Sequence, residues 1–195
     1  MHKRTLLGTV PFAALLLLSA CGGGNNAQND KMMADHMAMM QADSMTKAQE
    51  AITKAAYDMI NTGNMDGAEK YFTDDFVDHQ QDTSIKATGV AGLKADMVMY
   101  HTAFPDFHQD IVGMASNGDM TYVQLHITGT NSGPWGTMMP ATGKKMDVMG
   151  VDVLRFANGK CAEHWGYMEE MKMMSQLGLW PPAPAAPAKD MKKKK

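Results

Sequence analysis

Pro105 divides this chain into two halves with different hydrophobic periods. Before it, apolar residues recur every three to four positions; after it they alternate, which marks a change from helix to sheet. In the first half, Ser44 or Thr46 can cap a helix in which Ala51, Ile52, Ala55, Ala56, Met59 and Ile60 form one apolar stripe. Asn61-Thr62-Gly63-Asn64 stops that helix, and a second short one is expected over 65–72. Phe76-Val77-Asp78-His79 reads as a short strand. A third helix over 90–104 must end at Pro105, because proline cannot continue the hydrogen-bond ladder. In the second half, strands are expected over 107–115, 121–130, 145–156 and 160–168, followed by a short helix over 169–177. Asn117-Gly118 and Asn158-Gly159 are hairpin signals, since both residues tolerate the positive φ of a tight turn. The order predicts an α+β domain in which three helices lie on one side of a strongly bent antiparallel sheet, a cone-shaped barrel with an open mouth.

The first twenty residues belong to something else. His2, Lys3 and Arg4 precede an apolar run from Leu6 to Leu18, and Leu18-Ser19-Ala20-Cys21 follows. The run is short of the roughly 20 apolar residues a membrane-crossing helix needs, and small residues follow it where a peptidase would cut. The pattern matches a lipobox, in which Cys21 carries acyl chains such as palmitate and becomes the new N-terminus; an ordinary secretory signal is the alternative. Anchoring then comes from the acyl chains. Gly22 at the next position offers no aspartate-type retention signal, so a two-membrane bacterium would place the protein in its outer membrane, facing periplasm or surface.

Residues 21–45 are rich in Gly, Asn, Gln, Asp and Met and lack aromatic residues, so they read as a flexible tether to a domain at 46–180. Met32, Met33, His36, Met37, Met39 and Met40 form a thioether cluster suited to Cu(I). A weakly helical linker is the plainer reading in a chain with 22 methionines. Residues 181–195 are a Pro/Ala spacer ending in lysines. The formal charge of −3 becomes more negative once Lys3 and Arg4 are removed, and no basic stripe lies within 46–180, which argues against a nucleic-acid partner. With Cys21 acylated, Cys161 has no disulfide partner, so the domain must rest on one core.

Several ordered segments carry a resemblance. Asn61-Thr62-Gly63, Tyr71-Phe72-x-Asp74-Asp75-Phe76-Val77-Asp78-His79, Phe104-Pro105-Asp106-Phe107, Gly129-Thr130-x-x-Gly133, Pro140-x-Thr142-Gly143-Lys144 and Asp152-x-x-Arg155-Phe156-x-x-Gly159-Lys160-x-x-Glu163-His164-Trp165 resemble the SnoaL-like polyketide cyclases. These are ester cyclases of the nuclear transport factor 2 superfamily. The likeness covers about residues 46–180. It implies a cone whose interior binds a small hydrophobic molecule, acid/base chemistry without a cofactor, and pairing of two copies through the outer faces of their sheets. The resemblance also implies an aspartate immediately after the Glu-His-x triplet of the last strand, where this chain has Gly166. A histidine of the family aligns with Asp152, so the family's acid/base pair is not carried over.

The remaining residues offer their own candidates. Asp152 and His164 can be neighbours across two paired strands, where an imidazole beside a carboxylate is a competent general base; a structural Asp-His hydrogen bond is the alternative. His79, Gln124, Trp135, Gly166 and Glu169 are candidates for the pocket wall. Trp135, in the glycine-rich 133–143 loop, fits either a lid or an aromatic packed on the domain edge. His79 fits an exposed turn equally well, and Glu169 fits the first turn of a helix, which the helix dipole favours without any function. His79, His101, His108 and His126 lack a tight ligand spacing, so neither a metal nor a cofactor is expected. Cys161, inside a strand, reads as a small buried hydrophobe. Glu163, Trp165 and Tyr167 share the outer face and suggest a homodimer. The anchor has a direct test: Cys21→Ser should move the protein out of the membrane fraction and abolish fatty-acid labelling, and unchanged membrane partition would refute it.

Overall fold

A computed structural model describes residues 26–137 and 139–180; the proposed signal, Cys21, Gly22 and the lysine-ended tail lie outside these residues. Among them, no helix is long and apolar enough to cross a membrane. The protein divides into two compact units, one ending at Met39 and one spanning Met40–Lys195. In the first, residues 26–39 are helical and exposed throughout, Met32, Met33, Met37 and Met39 included. The sequence leaves a flexible tether and a weakly helical linker open here, and the stretch is helical. Ala, Gln, Lys and Met are good helix formers whether or not they are buried, so a composition that cannot build a core can still build a helix.

The helix that contains this stretch, α1, runs Asn26–Thr62. In the second unit its buried face centres on Thr53, Ala56 and Tyr57, with Ile52 and Ile60 half-buried beside them, whereas Ala51 is exposed. Gln49 and Thr53, though polar, are buried because each is satisfied. Gln49 Nε2 donates to Gly118 O at 2.9 Å, and Thr53 Oγ1 donates to Gln49 O at 2.8 Å.

The short helix expected over 65–72 is a single 3₁₀ turn, Ala68–Lys70, and strand β1 begins earlier than expected, spanning Phe72–Asp78. Helix α2 covers Gly89–Ala103 and stops before Pro105 as its chemistry requires. Strands β2 (His108–Asn117), β3 (Met120–Thr130), β4 (Lys145–Ala157) and β5 (Lys160–Met168) form an antiparallel meander, and α3 (Glu170–Gln176) follows. The five strands make one sheet in the order β1-β5-β4-β3-β2. The sheet is mixed rather than purely antiparallel, because β1 pairs with β5 in parallel, Asp78 lying opposite His164. The fold is α+β, with three helices and a five-stranded sheet.

Alternation along β3 and β4 sorts side chains by face. Val123, Leu125, Ile127, Val148 and Leu154 point into the core, while Tyr122, Gln124 and Val151 point out. Asn131, 1 % exposed, ties the loop after β3 to the end of α2. Its Nδ2 donates to Gly133 O at 2.9 Å and Ala103 O at 3.3 Å, and its Oδ1 accepts from Thr142 N at 2.9 Å. At Gly133 a Cβ would lie 2.1 Å from Thr102 O, so only glycine allows this approach. The loop is thereby held where Trp135 packs on α2, with ring centroids 5.0 Å from Tyr100 and 5.4 Å from Phe104. The core is drawn from residues 52–179, all within the second unit.

Candidate functional site

Between α1, α2, α3 and the inner face of the sheet lies a cavity of about 460 Å³. Its wall is apolar over most of its extent, with Phe72, Phe76, Leu93, Met97, Phe107 and Leu154 among the lining residues. One side is polar, and His164 is at its centre.

Strand geometry explains the cluster. On β4 and β5, Asp152 lies opposite Gly166 and Leu154 opposite His164, so Asp152 and His164 are diagonal neighbours on the inner face. His164 Nε2 stands 3.3 Å from Asp152 Oδ2. From the other edge of β5, the parallel partner Asp78 places Oδ1 2.9 Å from His164 Nδ1. The Tyr57 hydroxyl, on α1, donates a short hydrogen bond to Asp152 Oδ2. The backbone N–H of Gly166 donates to Gln80 Oε1 at 2.6 Å.

Gly166 also makes room for this arrangement. A Cβ there would lie 3.1 Å from His164 Cε1 and 3.2 Å from Asp152 Oδ1, tighter than ordinary contact. The position where the resemblance implies an acid/base aspartate is thus crowded by the imidazole and by Asp152, and the absence of a side chain lets those two meet.

The electrostatics follow from the neighbours. Burial alone would push the His164 pKa down, but its hydrogen bonds to Asp152 and Asp78, and their charges, outweigh that and carry it up to about 10. The ring is therefore an imidazolium at neutral pH, with both N–H groups facing carboxylates. For Asp78, burial works upward, but the hydrogen bond and charge of His164 hold its pKa below the usual value. Burial, then the negative charge of Asp152, pushes Tyr57 well above an ordinary tyrosine, so it stays a neutral donor. Burial likewise raises the Cys161 thiol to about 12, which leaves it protonated and unreactive.

Asp96, on α2, also lines the cavity. It is 5 % exposed, and its Oδ1 has no hydrogen-bond partner. Burial, reinforced by the charge of Asp78, raises its pKa to about 6.

The structure brings Asp152, His164 and Gly166 together and puts Trp135 on the cavity wall. It places three other candidates elsewhere. His79 stacks on Trp165 with centroids 4.4 Å apart and pairs with Glu163 at 2.9 Å, just past the end of β1. Gln124 is exposed on β3, on the face opposite the inward Val123 and Leu125. Glu169 accepts from Met149 N at 2.9 Å and pairs with Lys172 at 2.9 Å. Asp78, Tyr57, Gln80 and Asp96 belong to the site and were not singled out from sequence. Among the described residues no three His, Cys, Asp or Glu side chains converge as metal ligands.

Comparison with known proteins agrees with the fold. A family model described as SnoaL-like polyketide cyclase matches residues 50–177. No curated protein matches the sequence. Among solved structures, a protein from Acidithiobacillus ferrooxidans assigned as a polyketide cyclase is 26 % identical, with 68 % of this chain and 95 % of that one covered and a TM-score of 0.58. One from Bacillus cereus, similarly assigned, is 25 % identical over 68 % of this chain and 81 % of that one, with a TM-score of 0.57. TsrD from Streptomyces laurentii superimposes with a TM-score of 0.61 over 68 % of this chain and 96 % of its own, at 18 % identity.

The raised pKa of His164 makes a prediction about stability. A group whose folded pKa lies above its unfolded value stabilises fully below the unfolded value, about 6.5, and loses that contribution as pH rises toward the folded one. Residues 40–195 should therefore lose stability from neutral pH toward about 10, the folded-state value for His164. Urea midpoints should show this decline for the parent and a flatter one for His164→Gln. Parallel profiles would show that the ring is not held as an imidazolium.

Proposed function

The chain belongs to the SnoaL-like polyketide cyclase family, and from that premise we propose that it is an envelope-tethered domain that binds a small hydrophobic molecule in the cavity beneath α1 and α2. The observation that carries this reading is the cavity itself. A volume of about 460 Å³, walled largely by aromatic and aliphatic side chains with a few convergent polar groups, has the size and character of a small-molecule site. Tethering at the cell envelope rests on the match of residues 18–21 to a lipobox, and in a two-membrane bacterium the proposed destination is the outer membrane.

A second reading, cofactor-free cyclisation or isomerisation by proton transfer, draws support from the chain Asp78–His164–Asp152–Tyr57 in the cavity wall. Against it stands the state of His164. With both ring nitrogens turned to carboxylates and the pKa up to about 10, the imidazole is a poor base at neutral pH. Binding is thus the better-supported function.

Assembly is proposed on the outer face of the sheet. Tyr122, Val151 and Tyr167, on three neighbouring strands, are exposed there, and Trp165 lies on the same face. Apolar side chains in such a row are better covered than wet, and a two-fold pairing of two copies would cover them. Sedimentation of residues 40–195 should give twice the monomer mass, and Tyr167→Lys should shift it to monomer; a monomer at all micromolar concentrations would refute the pairing.

The uncharged fluorescent reporter N-phenyl-1-naphthylamine tests the principal reading. Its emission should rise on entering the cavity of residues 40–195. Ala56→Phe, which puts a ring into the cavity from α1, should weaken its uptake by about tenfold or more, a change of about 1.4 kcal/mol. Absence of uptake by the folded parent would refute the binding function. Should the catalytic reading hold, His164→Gln and Asp152→Asn would each cut turnover of a polyketide ester by roughly 10²- to 10⁴-fold with affinity largely kept; no turnover by the parent excludes it.

A further inference from the structure

The polar groups of the cavity are unevenly charged. Asp78, Asp96, Asp152 and Glu170 line it, and no lysine or arginine does so among the described residues. His164 supplies one positive charge between Asp78 and Asp152, which leaves that triad with a net charge of one unit negative. Asp152 has the Tyr57 hydroxyl as well. Asp96 makes no ion pair among the described residues, His164 acting on it only at longer range. It is 5 % exposed, it lines the cavity, and its Oδ1 is buried with no hydrogen-bond partner. A buried carboxylate with one oxygen left unsatisfied is costly for a fold to keep, and proteins of this size have few.

The surroundings of Asp96 suit a cation. Tyr100 is one helical turn further along α2, so it rises from the same face, and its ring lies 5.2 Å from Phe107 and 5.0 Å from Trp135. All three rings line the cavity. Aromatic faces beside a carboxylate attract a desolvated ammonium through both the ring quadrupole and the opposite charge.

Resting on the binding function proposed above, we infer that the ligand is a hydrophobic molecule bearing a basic nitrogen, and that Asp96 is the counter-ion of its ammonium group, with Tyr100, Phe107 and Trp135 around it. An anionic ligand meets a net negative wall, with the one positive group, His164, already committed to Asp78 and Asp152. A neutral one brings no positive charge to set against Asp96. An ammonium supplies the missing donor and offsets one unit of the wall's negative charge, while the apolar remainder fills the cavity.

The same arrangement sets a pH window. The groups facing Asp96 are Asp78 on β1, Asp82 in the loop after it, His164 on β5 and Tyr100 on its own helix. Asp78 and Asp82 are held below the usual carboxylate value, His164 is carried up to about 10, and burial raises Tyr100 above an ordinary tyrosine. Only Asp96, at about 6, changes charge between mildly acidic and neutral conditions. As pH falls through that value, Asp96 takes up a proton and the ammonium loses its counter-ion.

Three competitors that share a naphthalene ring test the inference by displacing N-phenyl-1-naphthylamine from residues 40–195: 2-naphthylmethylamine, 2-naphthylmethanol and 2-naphthoate. At about pH 7.5, where the amine is charged, it should displace the reporter at a roughly ten- to a hundredfold lower concentration than the alcohol, the worth of a hydrogen bond to a charged group, and the carboxylate should be weakest. In Asp96→Asn the amine-to-alcohol ratio should collapse toward one. On the unsubstituted protein the same ratio should shrink between about pH 7.5 and about pH 5, which keeps the test valid even if that variant does not fold. If the reporter binds but the carboxylate competes as well as the amine, or the ratio ignores both Asp96→Asn and pH, the inference is overturned and the hydrophobic-binding function stands. If the reporter does not bind, that function fails and this inference falls with it.

Discussion

Strand β5 is paired along both edges, to β4 antiparallel and to β1 in parallel, and this double pairing determines what its inner face can carry. A side chain on an edge strand has cross-strand neighbours on one side only. His164, on a strand flanked twice, receives Asp152 from one side and Asp78 from the other. Neither carboxylate could be accommodated without the ring, and the ring could not stay charged in an apolar cavity without both. The segment between β1 and α2 and helix α1 each supply a further contact to this row: Gln80 to the Gly166 amide and Tyr57 to Asp152.

A buried charge cluster of this kind is a poor source of stability, because desolvation of three ionised groups offsets most of their attraction. Its effect is to fix geometry. Removing His164 leaves both carboxylates without their cation, and removing either carboxylate leaves the ring with one ion pair instead of two. Gly166 belongs to the same unit for a steric reason, since a Cβ at that position would press on both His164 and Asp152. The departure from the family pattern at Gly166 and the His164–Asp152 contact are therefore one feature seen from two sides.

What was legible in the sequence was whatever is periodic and local. The four strands of the meander, the α2 helix stopped by Pro105, and the hairpins at Asn117-Gly118 and Asn158-Gly159 appear within a residue or two of their expected bounds. Parity along a strand pair also brought Asp152 and His164 together. Gln124 could have been placed outside the cavity by the same parity, since it sits between Val123 and Leu125, both inward. The rest depended on contacts distant in sequence. Nothing near Phe72 announces that β1 will pair in parallel with β5, and without that pairing Asp78 is one more acidic residue in an acidic segment. Tyr57 reads as one aromatic on a helix until α1 is laid across β4. Asp96 lies on a helix whose apolar content is high enough to hide any stripe, so its burial has no signature in the periodicity. Residues 26–39 leave a flexible tether and a weakly helical linker open, because a lack of core-forming residues says nothing about helix formation.

Two titratable groups in one cavity have been driven in ways that bear differently on chemistry. His164 is stabilised in its charged form by two carboxylates, so its proton is held firmly and both of its donors are committed. Asp96 is raised by burial and by the charge of Asp78, which a backbone hydrogen bond at Asp82 and the charge of His164 offset only in part, and its Oδ1 has no partner, so its charge is the one most easily altered by whatever enters. A group saturated by its neighbours orients a site, whereas a group left unsatisfied selects what binds there. By that criterion the row around His164 is the scaffold of the cavity, and specificity resides on the opposite wall, with Asp96 and the rings of Tyr100, Phe107 and Trp135. The strand position where the family resemblance implies an acid/base residue is then not where this cavity distinguishes one ligand from another; that distinction has moved to α2.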